Sequence, residues 1–306
     1  MEKHLYITEP EHLDIGRARD LLTPEGWSVT EGTIDFAKCK AQNYSTLMIR
    51  SETQVDKNIL NYFPHLKSII RIGTGLDNID LEYCKQAGIA VYNAAGANAG
   101  AVAEYIVTMA LYVLRKISTL TTEDVAAWNR FKFRGESLRE QKVGLIGFGH
   151  IGWALYRYLE AAGCKEISIY DPYVDPVTLP NDIELASTIE ELLADCSLIS
   201  IQVPLTSTTK DLVGVEELGS LKDGAVLVNV SHGGVVDELA VIGALNERSQ
   251  FTYVADTVSN EPHPNATLMN HENVIITPHV ASLTGAAESA MLEHAVANFL
   301  NQTTAV

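Results

Sequence analysis

Lys142-Val143-Gly144-Leu145-Ile146-Gly147-Phe148-Gly149-His150-Ile151-Gly152 reads as an apolar strand that runs into G-x-G-x-x-G and then into a helix. Gly147 permits the tight turn, Gly149 lets a pyrophosphate approach the backbone, and Gly152 allows close helix–strand packing. The helix, predicted over His150–Ala162 with His150 and Ile151 in its first turn, offers free N–H groups and a positive dipole end to phosphates. A second strand, Glu166-Ile167-Ser168-Ile169-Tyr170, ends on Asp171, 19 residues past Gly152. An acid at that place bonds the adenosine ribose hydroxyls. The bland alternative is a glycine-rich turn in an ordinary α/β protein, with Asp171 solvated. Strand, glycines, helix and acid in that order favour the dinucleotide. The acid also predicts NAD over NADP, since a carboxylate repels a 2′-phosphate.

At 306 residues the chain is long enough for two domains and a core without staples. A 46% hydrophobic and 20% charged composition is that of a globular protein. The net charge of −17 argues against nucleic acid or an anionic membrane as partner. Cys39, Cys84, Cys164 and Cys196 form no C-x-x-C pair. They read as small core residues in a reducing, cytoplasmic protein, and no metal is expected. Met1-Glu2-Lys3-His4 lacks a signal pattern, and the longest apolar run, Tyr105 to Leu114, is too short for a bilayer. Neither a leader nor an appended regulatory domain is expected.

Short apolar strands alternate with amphipathic helical stretches, which predicts parallel α/β layers. In the first third, strands are predicted at Leu5–Ile7, Leu47–Ile49, Ser68–Arg71 and Ala90–Tyr92, with helices near Glu11–Leu22, Asp56–Tyr62 and Leu81–Ala87. The small-residue stretch from Asn93 to Gly100 reads as a hinge, and an apolar helix over Ala101–Ser118 follows it. Later strands are predicted at Val143–Ile146, Ile167–Tyr170, Leu198–Ile201, Ala225–Asn229, Thr252–Ala255 and Val274–Ile276. The last helix, Gly285–Leu300, is expected to cross back onto the first domain. The division is therefore 1–98 plus 282–306, and 99–281. A helix as apolar as Ala101–Ser118 is expected either to contact a second copy in a homodimer or to be buried between the domains.

Three further segments fall at predicted strand ends, where an open parallel sheet places its ligand. They are Val228-Asn229-Val230-Ser231-His232-Gly233-Gly234-Val235-Val236-Asp237, Ala255-Asp256-Thr257-Val258-Ser259-Asn260-Glu261-Pro262 and Thr277-Pro278-His279-Val280-Ala281. With Arg50-Ser51-Glu52-Thr53 and the run from Arg71 to Asp80, the chain resembles the D-isomer-specific 2-hydroxyacid dehydrogenases from about Leu47 to Thr284. The hinge and Ala101-Val102-Ala103-Glu104 look most like the phosphoglycerate dehydrogenase branch. The resemblance implies two Rossmann-like or flavodoxin-like parallel-sheet domains with the active site in the cleft between them, and NAD as cofactor.

By the same resemblance His279 is the acid/base and Glu261 its partner. Hydride transfer leaves an alkoxide that needs a proton, and histidine titrates near neutral pH. A neighbouring carboxylate stabilises the imidazolium. Taken singly, each reads as a strand-end histidine or a solvated loop acid. Asp256 matches a contact to the nicotinamide carboxamide, or simply ends its strand. Val203 and Pro204 match the loop on the adenine side, or a plain turn, and Ser231 joins the cofactor set. Gly73, Thr74 and Gly75, with Ser51, would meet the substrate carboxylate through backbone N–H groups, or the glycines only turn the chain. Arg50, Arg71 and Arg134 match groups that reach substrate anions in the phosphoglycerate branch, or are surface ion-pair partners. A phosphorylated substrate is thus one possibility.

The departure is His232, where the family has an arginine that grips the substrate carboxylate. Histidine loses the two-pronged fork, and its charge depends on pH. Gln202 also stands where many relatives have histidine. Either His232 serves a non-standard substrate, or the position has been altered, or the protein keeps fold and NAD as a sensor without the chemistry. Retention of His279 and Glu261 argues for an enzyme. Oxidation of another small oxyacid, such as phosphite, fits the same frame without a feature of its own.

Overall fold

The computed structural model describes residues 3–33 and 42–303, so Cys39 lies outside the described residues. The chain divides into two compact units, Met1–Asn98 with Leu283–Val306, and Ala99–Ser282.

The first unit is built on five parallel strands: β1 (His4–Ile7), β2 (Ser28–Glu31), β3 (Thr46–Ile49), β4 (Ser68–Arg71) and β5 (Ala90–Tyr92). Their order, β2-β1-β3-β4-β5, is the flavodoxin-like one. Side chains alternate across the sheet as a two-residue period requires. Leu5, Ile7, Met48 and Ile70 face one side, packed on Met291, Leu292, Val296 and Phe299 of the terminal helix Gly285–Leu300. Tyr6, Leu47, Ile49 and Ile69 face the other, over Leu60 and Phe63. The first helix starts later than its apolar pattern suggests. Pro10–His12 is a 3-10 turn, and the helix Ile15–Leu22 begins where Asp14 caps the Arg17 N–H at 2.8 Å. The helix at Lys57–Leu60 is likewise shortened behind its Asp56 cap. Strand β2 has no apolar run to announce it: only Val29 is hydrophobic, and the strand is a half-exposed edge.

The second unit holds seven parallel strands: β6 (Lys142–Ile146), β7 (Glu166–Tyr170), β8 (Ile183–Leu185), β9 (Leu198–Ile201), β10 (Val226–Asn229), β11 (Thr252–Ala255) and β12 (Val274–Ile276). The order β12-β11-β10-β9-β6-β7-β8 is the doubly wound Rossmann arrangement with one added edge strand. One register row, Tyr170, Ile146, Ile201, Asn229, Ala255 and Ile276, crosses six strands. Six loops therefore leave the sheet side by side. The helix expected over Ala101–Ser118 runs instead from Ala99 to Leu114. Gly100 is helical rather than part of a hinge. The end comes early because Lys116 turns left-handed, at φ 56°, and Ile117–Thr119 follows as a 3-10 turn. Val102, Ala103, Ile106 and Ala110 of this helix pack on the sheet with Leu155 and Leu159 of the helix His150–Ala161. No helix among the described residues is long and apolar enough to cross a membrane.

Candidate active site

Two groups of loops emerge at the carboxyl ends of the second unit's strands. The first surrounds the switch point between β6 and β9, where a doubly wound sheet opens its ligand crevice. Gly147 turns the chain at φ 93°, and a side chain there would strike Val203 Cγ1 at 2.7 Å. A side chain at Gly152 would come within 2.7 Å of the Gly147 carbonyl, so both glycines are required by packing. Gly149 differs: a Cβ would meet nothing within 4 Å. It faces open space at the N-terminus of the helix His150–Ala161, whose first N–H groups have no side-chain cap. His150 is exposed and Ile151 half-buried in that first turn. An uncapped N-terminus beside an open glycine fits a pyrophosphate.

Asp171 ends β7 and ties it to the glycine loop. Its carboxylate accepts from Phe148 N at 2.8 Å and from Tyr173 N at 2.9 Å. Each oxygen keeps acceptor capacity for a hydroxyl. Across the switch point, Gln202 is buried; its amide donates to the Gly147 carbonyl at 2.7 Å and accepts from Ser200 Oγ at 2.7 Å. Gln202 thereby fixes the loop that carries Val203 and Pro204.

The second group follows β10, β11 and β12. His279 Nδ1 lies 2.9 Å from Glu261 Oε2. The carboxylate accepts, so Nδ1 donates. Both side chains are about half exposed, so the imidazole is reachable from solvent. Partial burial pushes the Glu261 carboxyl up, but the hydrogen bond and charge of His279, the Val258 N–H and the charge of His232 outweigh it. The net shift is below the ordinary carboxylate value. His232 thus lies within electrostatic reach of the pair. The loops are locked together at Gly233, where a Cβ would sit 2.1 Å from the Val258 carbonyl. Glu238 accepts from Ser259 N at 2.5 Å and holds the Glu261 loop from the helix Glu238–Glu247. Ser231 is buried, its N–H donating to Asn229 Oδ1 at 3.0 Å.

Asp256 is 2% exposed, and both carboxylate oxygens bond the turn that carries His279. It accepts from Thr277 Oγ1 at 2.6 Å, Val280 N at 2.8 Å and Ala281 N at 2.9 Å. Its own carbonyl accepts from His279 N at 2.9 Å. His279 adopts a left-handed φ of 56°, a conformation that a side-chain-bearing residue keeps only when its surroundings impose it. Tyr105 Oη meets Thr277 Oγ1 at 2.5 Å. Nothing in the sequence signals these ties, because they depend on the register between β11 and β12.

In the first unit, Arg50 and Ser51 follow β3, while Arg71 ends β4 and Gly73–Gly75 follow it. The loop after β3 is stitched to Glu9, a buried acid that the sequence does not announce. Its carboxylate accepts from Arg50 N, Glu52 N and Thr53 N at 3.1, 3.2 and 2.9 Å. Asn78 adds donors to the carbonyls of Arg50 and Thr53 at 2.9 and 2.8 Å. Ser51 is exposed at the crown of that loop. The Arg50 guanidinium bonds the His12 carbonyl and pairs with Glu288 at 3.1 Å. Arg71 folds over Gly73, donating to the Ile72 carbonyl at 2.9 Å, and its Nε is buried without a partner among the described residues. A side chain at Gly73, at φ 151°, would overlap that guanidinium. Burial pulls the Arg71 pKa down, against the charge of Asp77. Asn93 and Asn98 pin the turn at Thr74, at 2.8 and 3.0 Å. Arg134, in the second unit, is exposed. Glu11, His12 and Glu52 gather at the surface, with His12 and Glu52 paired at 3.3 Å.

Residues 107–281 match the model of the D-isomer specific 2-hydroxyacid dehydrogenase NAD-binding domain. The chain is 35% identical over 242 residues to (S)-sulfolactate dehydrogenase of Chromohalobacter salexigens, covering 78% of each protein. It is 34% identical over 253 residues to D-3-phosphoglycerate dehydrogenase of Methanocaldococcus jannaschii, covering 82% of this chain. That match spans only 48% of the archaeal enzyme, and the other phosphoglycerate dehydrogenases are also matched over about half their length. Among solved structures, D-lactate dehydrogenase from Aquifex aeolicus, complexed with NAD and lactic acid, superposes with a TM-score of 0.81. It is 25% identical, over 98% of this chain and 96% of that one.

Proposed function

The chain belongs to the D-isomer-specific 2-hydroxyacid dehydrogenase family, and from that premise we propose that it moves hydride between NAD and a small 2-hydroxy or 2-keto acid. The observation that carries this reading is the His279–Glu261 pair at 2.9 Å. When bound, NADH would supply the hydride in reduction and NAD⁺ would accept it in oxidation. The carbonyl oxygen that becomes an alkoxide takes its proton from His279, and the same imidazole removes the hydroxyl proton in the reverse direction. With Nδ1 bonded to Glu261, proton exchange falls to Nε2. Glu261 stabilises the imidazolium and fixes the ring. Asp256 acts one step behind, holding the turn.

For the cofactor, Gly147, Gly149 and Gly152 with His150 and Ile151 receive the pyrophosphate. Asp171 receives the ribose hydroxyls and selects NAD over NADP. Val203 and Pro204 line the adenine side, and Ser231 supports the loop from β10. For the substrate, Ser51, Thr74 and Gly75 supply backbone donors, while the Gly73 N–H is engaged by the Arg71 carbonyl at 3.0 Å and serves the turn. Arg71 and Arg134 supply charge, and Arg50 would do so only by leaving Glu288. His232 grips the carboxylate in place of the family arginine. The relatives' names put phosphoglycerate-like and sulfolactate-like acids first in any substrate panel.

A second reading rests on His232 alone: a protein that binds NAD(H) as a regulator and turns nothing over. One experiment separates the two. NADH absorbance is followed with a panel of 2-keto acids, beside NADH binding by fluorescence. Turnover on a panel member supports the dehydrogenase; binding without turnover on any of them overturns it for the sensor.

We also place a homodimer contact on the helix Ala99–Leu114 and the segment after it. Leu111, Tyr112, Ile117, Leu120, Val125, Trp128 and Phe131 are exposed there, Trp128 at 78%. A run of apolar surface this long calls for a partner, and a second copy is the simplest one. Buried free thiols at Cys84, Cys164 and Cys196 fit a cytoplasmic home. The charge of −17 leaves small anions, not nucleic acid, as ligands for the few basic pockets.

A further inference from the structure

We propose that Tyr105, acting through Thr277 and Asp256, is a positioning residue that sets the His279 imidazole against Glu261. The proposal rests on reading His279 as the acid/base. β12 is half-exposed along its length and, among the described residues, is the edge strand of its sheet with β11 as its one strand neighbour. The turn bearing His279 leaves that edge and takes a left-handed backbone. Such a turn needs restraint from elsewhere.

The restraint is the buried Asp256 carboxylate, whose Oδ1 takes Thr277 Oγ1 and Val280 N and whose Oδ2 takes Ala281 N. A buried carboxylate holds its place only while its donors do. Thr277 has one hydroxyl proton, and the carboxylate can only accept, so that proton points to Asp256. Thr277 Oγ1 must then accept from Tyr105 Oη at 2.5 Å. Burial pushes the Tyr105 phenol up to about 12, against the Thr277 bond and with the Asp256 charge, so it stays a donor through neutral pH. Tyr105 projects from the helix Ala99–Leu114, whose Val102, Ala103 and Ile106 are buried. The strut therefore runs from a packed helix to the turn that aims the imidazole. Charged groups near that imidazole among the described residues include Glu261, at 2.9 Å, Asp256 beneath its turn, and His232, whose charge reaches Glu261.

The test compares the parent protein with Tyr105→Phe, Thr277→Val, Thr277→Ser and Glu261→Gln. The His279 imidazole is titrated by NMR in 15N-histidine-labelled protein, and kcat and KM are measured across pH. Thr277→Val should move the His279 midpoint to lower pH, towards that of Glu261→Gln. It should lower kcat about tenfold with KM for NADH unchanged, the scale of one hydrogen bond at its upper end. Tyr105→Phe should do the same about threefold, and Thr277→Ser, which keeps the hydroxyl, should stay within about twofold of the parent. If Tyr105→Phe and Thr277→Val leave the His279 midpoint where it was, the proposal is overturned, even if both proteins melt earlier. Absence of turnover in the parent would overturn the hydride-transfer reading instead, and the imidazole midpoints would still decide the strut.

Discussion

His279 and Glu261 are 18 positions apart and meet because β11 and β12 end in register, Ala255 beside Ile276. The pairing sets a sign for pH. The Glu261 carboxyl is held below its ordinary value, chiefly by His279 working against partial burial. Its contribution to folding is therefore present above the unfolded carboxylate pKa and lost as acid carries the pH down through the depressed one. By reciprocity the carboxylate favours the imidazolium. Glu261→Gln should shift the pH profile of 2-keto acid reduction to lower pH, as measured by kcat/KM against pH; an unmoved profile would leave Glu261 a purely structural loop residue. His232 makes a second prediction. If it anchors the substrate carboxylate, affinity should fall as pH rises through neutrality, since only imidazolium carries full charge. His232→Arg should tighten 2-keto acid binding by about 1.5–3 kcal/mol and flatten that dependence. A flat parent profile with no gain in the variant contradicts the anchor. The motif residues could be read from sequence because each belongs to a recognisable string. Glu9, Asp256 and Tyr105 in their positioning roles could not, because a lone buried acid or tyrosine carries no spacing signal.

At the scale of elements, the loops that carry His232 and Glu261 touch backbone to backbone at Gly233 and Val258. Gly233→Ala has no room for its methyl, and the obstacle is main chain rather than a movable side chain. Overpacking of this kind costs typically about 1–3 kcal/mol. Denaturant unfolding should register that loss, and the same variant should lose 2-keto acid turnover. A variant with parent stability and turnover would mean that the two loops can part freely. Most strands were legible as short apolar runs, and the terminal helix Gly285–Leu300 as an apolar periodic segment. β2 (Ser-Val-Thr-Glu) and β8 (Ile-Glu-Leu) were not, because edge strands with one wet face show little apolar signal. The first helix starts about one turn later than its pattern suggests, because Asp14 caps it, and the helix capped by Asp56 starts as expected but ends at Leu60, short of Tyr62. The long helix ends before Ser118 because the chain turns left-handed at Lys116, a conformation with no signal in the sequence.

For the molecule as a whole, the exposed apolar side chains between Leu111 and Phe131 predict self-association. Sedimentation at micromolar protein should give a dimer, and Trp128→Glu with Phe131→Glu should give monomer. A parent that sediments only as monomer removes the homodimer. The central claim is that the chain is a hydride-transfer enzyme with His279 as its acid/base. The most direct test is single-turnover NADH oxidation with a 2-keto acid, run on the parent and on His279→Ala, with NADH affinity measured for both. The account predicts a rate loss of ~10²–10⁴-fold in the variant, the usual worth of general acid–base catalysis, with NADH affinity nearly unchanged. A loss smaller than about tenfold in the chemical step, at equal NADH affinity, would contradict it.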